Sequence, residues 1–313
     1  MRKILLSFFV ALSAAAFSSA SDFSLQGLSA ADIPTLGLPA APVPAIPLRA
    51  DPRDRYFNPY VLKAVDYLYK NYGLKGYDIH SVLTHDIQYG SFGTIKATHP
   101  PLTMCVAAQM EVILTAMQLY SQETGDYSEY SYLPESSFEG LTIDDIKGHI
   151  WVNHEFHSDG TADALINFGM GERRAFEQLE PGDFVNINRT NKTGHAVTFL
   201  GYIDKSGNVL PQYGPDVVGF KYFSSQGLAD PGYGGFDFRD AVFSQYGCPD
   251  GLPLKRDCGV IFSDNQLYLN TGAMLAPAYW TGARPKPAGA PGRETQFDAA
   301  YFNGLTTDDR PPR

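Results

Sequence analysis

Two stretches of the chain carry apolar residues at the spacing of an amphipathic helix. One covers about 54–72, and the other covers about 103–122 and follows a pair of prolines. Apolar positions that recur every three or four residues predict helix, and proline is favoured at the start of a helix. A shorter helix is predicted over 163–168. The first half of the chain is therefore expected to be mainly helical, with a long loop over 74–101.

Further along the chain, short apolar segments are separated by turn residues, which is typical of β-strands. Strands are predicted at 184–188, 195–203 and 217–223, and the turn Asp204-Lys205-Ser206-Gly207 predicts a hairpin. A second hairpin is predicted over 260–269. Helices first and antiparallel strands later predict an α+β domain.

The first twenty residues have the features of a secretory signal peptide. Arg2 and Lys3 precede an apolar stretch, and Ser18 and Ala20 are the small residues of a cleavage site. We expect cleavage after about Ala20 and a secreted or periplasmic protein without a membrane anchor. The alternative is an uncleaved anchor, which the short apolar stretch disfavours.

Composition divides the rest of the chain into three segments. These are a Pro/Ala-rich lead-in at 21–54, a folded domain at 55–280 and a Pro/Gly-rich tail at 281–313. The 19 Tyr and 20 Phe exclude a wholly disordered chain. A formal net charge of -10 argues against a nucleic-acid partner, which would have to be bound by a basic surface.

The chain has three cysteines, and in an exported protein they can form disulfides. Cys248 and Cys258 flank a turn-rich loop and are expected to form one, although two free buried thiols are the alternative. Cys105 is then left without a partner. A leftover thiol in an exported protein indicates intermolecular pairing, a reactive nucleophile or a small buried apolar side chain.

Cys105 lies in the first turn of the second predicted helix. The free N–H groups and the helix dipole favour a thiolate there. A thiolate that acts as an acyl-transfer nucleophile needs an imidazole beside it. The best candidate is His195, which begins the apolar strand HAVTFLGY.

The stretch from about 165 to 204 resembles the second half of papain-like bacterial amidases of the NlpC and CHAP types. In that family a Leu-x-Pro-Gly-Asp turn leads into a strand, and the catalytic histidine begins the next strand. The matching residues here are Leu179, Pro181, Gly182, Asp183, His195 and Gly201. The resemblance implies a papain-like fold, in which a helix with the nucleophile Cys105 packs on an antiparallel sheet with His195. The interval between these two residues is longer than in such compact amidases, which implies an insertion at about 125–160.

The third catalytic residue and the oxyanion donors are less well defined by this resemblance. Ser224 falls where papain-like enzymes usually carry Asn, with Ser225 and Gln226 as neighbouring alternatives. Each could bind the far imidazole nitrogen. For the oxyanion, the N–H of Cys105 is the main-chain candidate, and a side-chain donor is expected from the preceding loop. The candidates there are Gln88, Tyr89 and His99.

Three further histidines, His149, His154 and His157, do not have the spacing of the helical zinc motif. We therefore expect no metal and no cofactor.

Three functions remain open. The first is a secreted cysteine hydrolase that cleaves amide bonds, with peptidoglycan peptides as the substrate implied by the resemblance. The second is a transglutaminase or protein-glutamine deamidase with the same Cys–His pair. The third is a non-catalytic binding module in which Cys105 is inert.

Overall fold

The computed structural model describes residues 55–132, 138, 152–153, 158–188, 194–227, 232–246 and 256–281. Several expectations fall outside these ranges. They are the signal peptide and lead-in, His149, His154, His157, Cys248, nearly all of the tail and most of the 125–160 insertion.

Four described helices and twelve described strands make up the domain, numbered here in chain order. The helices are α1 Asn58–Tyr72, α2 Cys105–Thr124, α3 Glu129–Tyr132 and α4 Thr161–Asn167. The strands are β1 Ile87–Tyr89, β2 Gly93–Ile95, β3 Val152–Asn153, β4 Ser158–Asp159, β5 Gly171–Arg173, β6 Phe184–Asn188, β7 Gly194–Ile203, β8 Val209–Leu210, β9 Gly219–Gly227, β10 Gly234–Phe243, β11 Arg256–Val260 and β12 Leu269–Met274.

Eight of these strands form one large sheet in the order β11-β10-β9-β7-β6-β12-β5, with β8 paired to β7. The pairs are antiparallel except β10–β11, which is parallel. The mixed α+β class with a large, mostly antiparallel sheet is therefore confirmed. β7 lies inside the sheet, between β6 and β9. Its first residues pair with β6, and its pairing with β9 begins at Thr198.

The two faces of the sheet bury different cores. On one face, α1 and α2 pack against alternate strand residues, including Phe184, Ala196 and Phe223. On the other face, Val185, Val197, Phe199, Phe220 and Tyr222 pack with Phe176, Phe243 and Phe262. The period of two along β6, β7 and β9 produces this division, because successive side chains point to opposite faces.

The helix α2 is buried on almost all sides through its first three turns, from Cys105 to Met117. A helix that is apolar all round belongs in the middle of a core rather than on its surface. It ends at Gly125, whose φ of 73° is the left-handed conformation that glycine adopts at helix ends.

The turn Pro181-Gly182-Asp183 is fixed to the start of α1. Asn58 donates its amide to the Pro181 carbonyl at 3.0 Å and to the Asp183 carboxylate at 2.7 Å. Asp183 also accepts from Arg174 at 2.9 Å and from the Glu180 N–H at 2.9 Å. Burial raises the pKa of Asp183 to about 6, against the opposing effect of these donors. The carboxylate is therefore ionised at neutral pH. Its hydrogen bonds hold the turn from which β6 begins.

The second predicted hairpin, over 260–269, is wrong. β11 ends at Val260 and pairs in parallel with β10, whereas β12 begins at Leu269 and pairs with β5 and β6. The two strands therefore lie in different parts of the sheet. The region 74–101, expected to be a loop, contains the short hairpin of β1 and β2.

Candidate active site

Cys105 is the first residue of α2, and its side chain is buried, with 5% of its surface exposed. The preceding residue, Met104, is extended, and its carbonyl accepts the first helical hydrogen bond from Ala108 at 2.8 Å. The thiol therefore lies at the helix end where unpaired N–H groups and the dipole favour negative charge.

Two hydrogen bonds hold the beginning of α2 on the sheet. Ser225 on β9 donates its hydroxyl to the Thr103 carbonyl at 3.1 Å, just before the helix. Thr198 on β7 donates to the side-chain oxygen of Gln109 at 2.8 Å, one helical turn after Cys105. Cys105 lies between these two anchors, at the end of the sheet where β7 begins.

His195 is the second residue of β7 and is 4% exposed. Its ring packs edge-on against Tyr222, with centroids 5.5 Å apart and planes at 75°. With its oxygen facing Arg239, the Gln226 side chain donates an amide N–H to His195 Nε2 at 2.7 Å. The imidazole is thus oriented by an amide from the neighbouring strand, and Nδ1 is the ring nitrogen that Gln226 does not contact.

The strand register explains why Gln226 reaches His195. Thr198 pairs with Phe223 across β7 and β9. Because the strands are antiparallel, His195 on β7 and Gln226 on β9 each lie three residues from this pair at the same end. They therefore lie opposite each other, on the same face of the sheet. Ser224 lies between Gln226 and Tyr222 on that face, and its small side chain leaves room for the imidazole.

Ser224, expected as the third catalytic residue, donates its hydroxyl to the Ala196 carbonyl at 2.7 Å. The contact with Nε2 is made by Gln226, which the sequence offered only as a neighbouring alternative. The period of two in β9 is the signal that could have separated them, once the register with β7 was known.

The alternation of β7 has a second consequence. Ala196 and Thr198 face α2, so the His195 side chain projects from the opposite face of the sheet. On that face His195 pairs with Ile187 of the neighbouring strand β6. Because His195 is at the start of the strand, the imidazole lies near the end of the sheet rather than over its middle. Any approach to the Cys105 sulfur runs around this end.

The three side chains expected to bind an oxyanion occupy different environments. The Gln88 amide is bonded within the β1–β2 hairpin, to the Gly90 carbonyl at 3.0 Å and to Thr94 at 2.9 Å. Tyr89 is buried against Tyr130, with ring centroids 4.8 Å apart.

His99 is exposed and lies six residues before Cys105. Its Nδ1 is 3.3 Å from the buried Ser81 hydroxyl, which donates to Asp78. The Asp78 N–H in turn donates to the Thr103 carbonyl at 3.3 Å. This chain of contacts connects His99 to the residues just before α2 and Cys105.

Two buried carboxyl groups were not among the expected functional residues. Glu111 on α2 is fully buried, accepts from the Thr84 N–H at 3.0 Å and contacts His85 Nδ1 at 3.1 Å. Glu129 on α3 is 1% exposed, and its carboxyl oxygens have no hydrogen-bond partner among the residues that the structure describes. Burial raises the pKa of Glu129 to about 7. Tertiary packing alone buries these two side chains, so the sequence pattern carries no signal for them.

Only one cysteine of the expected Cys248–Cys258 disulfide lies in the described part of the chain. Cys258 is disulfide-bonded, while Cys248, its expected partner, lies outside the described residues. That pairing stays a prediction.

Within the described ranges, no group of three or more His, Cys, Asp or Glu side chains could hold a metal ion. No helix in the same part of the chain has the length and apolar character needed to cross a bilayer. No family model, curated protein or solved structure matches the chain.

Proposed function

We propose that the protein is a secreted or periplasmic cysteine hydrolase with a papain-like arrangement, in which Cys105, His195 and Gln226 cleave an amide bond. The observation that carries this proposal is the 2.7 Å hydrogen bond from Gln226 to His195 Nε2. An imidazole held by a side-chain amide, at the end of the sheet where a cysteine begins a buried helix, supports a thiol acyl-transfer site.

The proposed mechanism assigns its steps to Cys105 and His195. The Cys105 sulfur attacks the carbonyl carbon, and the Cys105 N–H at the helix start donates to the developing oxyanion. With its own ring proton on Nε2, His195 takes the thiol proton at Nδ1 and gives it to the leaving amine, which breaks the C–N bond and leaves a thioester. Water then attacks the thioester, with His195 as the base, and releases the acid and the thiol.

The substrate proposed is a peptide of the bacterial cell wall. This part rests on the resemblance of the stretch 165–204 to NlpC- and CHAP-type amidases and on the signal-peptide features of residues 1–20. A disulfide at Cys258 is in keeping with an oxidising compartment. If an amine instead of water attacked the thioester, the same residues would act as a transglutaminase.

One observation favours a non-catalytic binding module instead. The alternation of β7 directs His195 to the sheet face opposite the one that carries Ala196 and packs on α2. If the imidazole does not reach the sulfur around the end of the sheet, Cys105 is an ordinary buried thiol.

The deciding experiment is the alkylation of Cys105 by iodoacetamide, followed by mass spectrometry from about pH 5 to 9. A Cys–His pair gives fast modification well below the free-thiol pKa of about 8.5, and His195→Ala abolishes that reactivity. A rate that only follows free-thiol titration, or a rate unchanged by His195→Ala, contradicts the proposal. Given a reactive pair, release of amines from purified cell wall by the wild type and not by Cys105→Ala then tests the substrate.

A further inference from the structure

The hydrogen bonds around Gln226 have a direction that is fixed from one end by a cation. The Arg239 guanidinium has only donors, and its Nε and one terminal nitrogen lie 2.6 and 3.3 Å from the Gln226 side-chain oxygen. The oxygen of the amide must therefore face Arg239. Its nitrogen is then the atom that faces His195.

Tyr222 lies at the other end of the network and does not by itself choose the orientation. Its hydroxyl donates to the Asp257 carboxylate, so its oxygen can accept an amide N–H of Gln226, which is 3.2 Å away in this orientation. The Gln226 oxygen lies 2.8 Å from the same hydroxyl, so an amide N–H would reach Tyr222 in either orientation. Arg239 is therefore the group that sets the direction of the amide.

This orientation determines where the imidazole carries its proton. An amide N–H donates to Nε2, so Nε2 presents a lone pair, and the proton of the neutral ring is on Nδ1. We propose that Arg239 is a positioning residue that holds His195 in the Nδ1-protonated tautomer and so keeps the Cys105–His195 pair in a restrained resting state. The statement about the tautomer stands by itself, whereas the statement about restraint rests on the proposed function.

The restraint follows from counting ring protons. A neutral imidazole can take the thiol proton at Nδ1 only if its own proton is on Nε2. An Nε2–H needs the oxygen of Gln226 opposite it, and that rotation turns the amide N–H groups toward the guanidinium. The productive form therefore requires the Arg239–Gln226 hydrogen bond to break. Arg239 is only half-buried, which allows its side chain to move.

The tautomer is measured on the full chain labelled with ¹⁵N-histidine, and the His195 signals are assigned as those lost in His195→Gln. We expect the ¹⁵N chemical shift of a protonated ring nitrogen at Nδ1 and that of an unprotonated ring nitrogen at Nε2. In Arg239→Met the amide is free to turn, and the Nε2-protonated form should appear. Arg239→Lys, which keeps one charged donor, should retain more of the wild-type pattern. An Nε2-protonated ring in the wild type, or identical spectra in folded Arg239→Met, would overturn the inference.

Alkylation of Cys105 separates this inference from the proposed function. If both hold, Cys105 is alkylated roughly tenfold faster in Arg239→Met than in the wild type at pH 7, as expected for the loss of one charge-assisted hydrogen bond. The matched control is Arg55→Met, which removes an arginine paired with Glu172 and should change neither readout. A changed tautomer with an unchanged alkylation rate would leave the positioning role standing and contradict the catalytic pair.

Discussion

Thr198 on β7 donates a hydrogen bond of 2.8 Å to the side-chain oxygen of Gln109 on α2. The bond joins the strand that begins beside His195 to the helix that begins with Cys105. Both side chains are fully buried, so no water competes for the bond. It fixes the position of the helix start relative to the strand start, which is the spacing on which a thiol–imidazole pair depends.

Thr198→Val should lower the stability of the fold by about 1–3 kcal/mol, because the buried Gln109 oxygen loses its donor. The nitrogen of the same amide has no partner in the described part of the chain, so the whole amide would be unsatisfied. Urea unfolding monitored by tryptophan fluorescence measures the change. In the proposed enzyme the Cys105 alkylation rate should also fall, since the helix start is released.

Thr115→Val is the matched control for this substitution. Thr115 lies on α2, the helix that carries Gln109, and is 1% exposed, but its hydroxyl has no hydrogen-bond partner among the described residues. Removing it should leave stability unchanged or slightly higher. Equal losses in the two variants would mean that valine packs badly in this core and that the Thr198–Gln109 bond contributes little.

Gln226→Ala should reduce the activity of the proposed enzyme by about 10²-fold, because His195 loses the group that orients it. The effect should fall on kcat more than on KM, since Gln226 acts on the imidazole rather than on the substrate. Steady-state kinetics on a cell-wall peptide would measure it, and the Cys105 alkylation rate gives the same test without a known substrate.

Ser224→Ala distinguishes the two residues considered for this role. The Ser224 hydroxyl is bonded to the Ala196 carbonyl, so its loss should cost about 1 kcal/mol of stability and leave reactivity within a few-fold of wild type. A larger loss of reactivity in Ser224→Ala than in Gln226→Ala would return the third catalytic role to Ser224.

The local elements of the fold were predictable from the sequence, but their order in the sheet was not. β6 was predicted with the observed ends, and α1, α2 and β7 within a few residues, because their apolar spacing is regular. The hairpin over 260–269 failed because a pattern of apolar residues specifies a strand and not its neighbour. β12 lies between β5 and β6, strands that precede it by about a hundred residues.

The candidate site was predictable to the same extent. The helix start at Cys105 and the strand start at His195 follow from local pattern. The partner of His195 depends on the register between β7 and β9, which shifts at an irregularity between Phe199 and Gly201. A one-residue change of register exchanges the faces of a strand, so sequence order alone could not choose Gln226 over Ser224.

Asp183→Asn should destabilise the fold by about 3–5 kcal/mol, because it removes the charge that neutralises a nearly buried arginine. Arg174 is 9% exposed and lies 2.9 Å from the Asp183 carboxylate. The same carboxylate accepts from Asn58, so the turn would also loosen at the start of α1. Thermal unfolding followed by circular dichroism measures the loss.

The comparison for Asp183→Asn is Glu180→Gln, which changes a second carboxylate near the same arginine. Glu180 is 3.1 Å from Arg174, but its side chain is 64% exposed. An exposed pair contributes about 0–1 kcal/mol, so this variant should be nearly neutral. If both variants lost the same stability, burial would not be the cause of the Asp183 effect.

Glu129→Gln should stabilise the protein at pH 8 and have little effect at pH 5. The Glu129 carboxyl is buried, and burial raises its pKa from 4.5 to about 7. Between these values the unfolded chain loses the proton while the folded protein keeps it, so this group lowers stability as pH rises from about 4.5 to 7. A shift of this size corresponds to at most about 3 kcal/mol above pH 7, and a neutral amide avoids it.

Urea unfolding of both proteins at several pH values gives the difference, with Glu123→Gln as the control. Glu123 is exposed and pairs with Lys63, so its substitution should give no gain that grows with pH. A pH-independent effect of Glu129→Gln would show that the Glu129 carboxyl titrates normally in the folded protein.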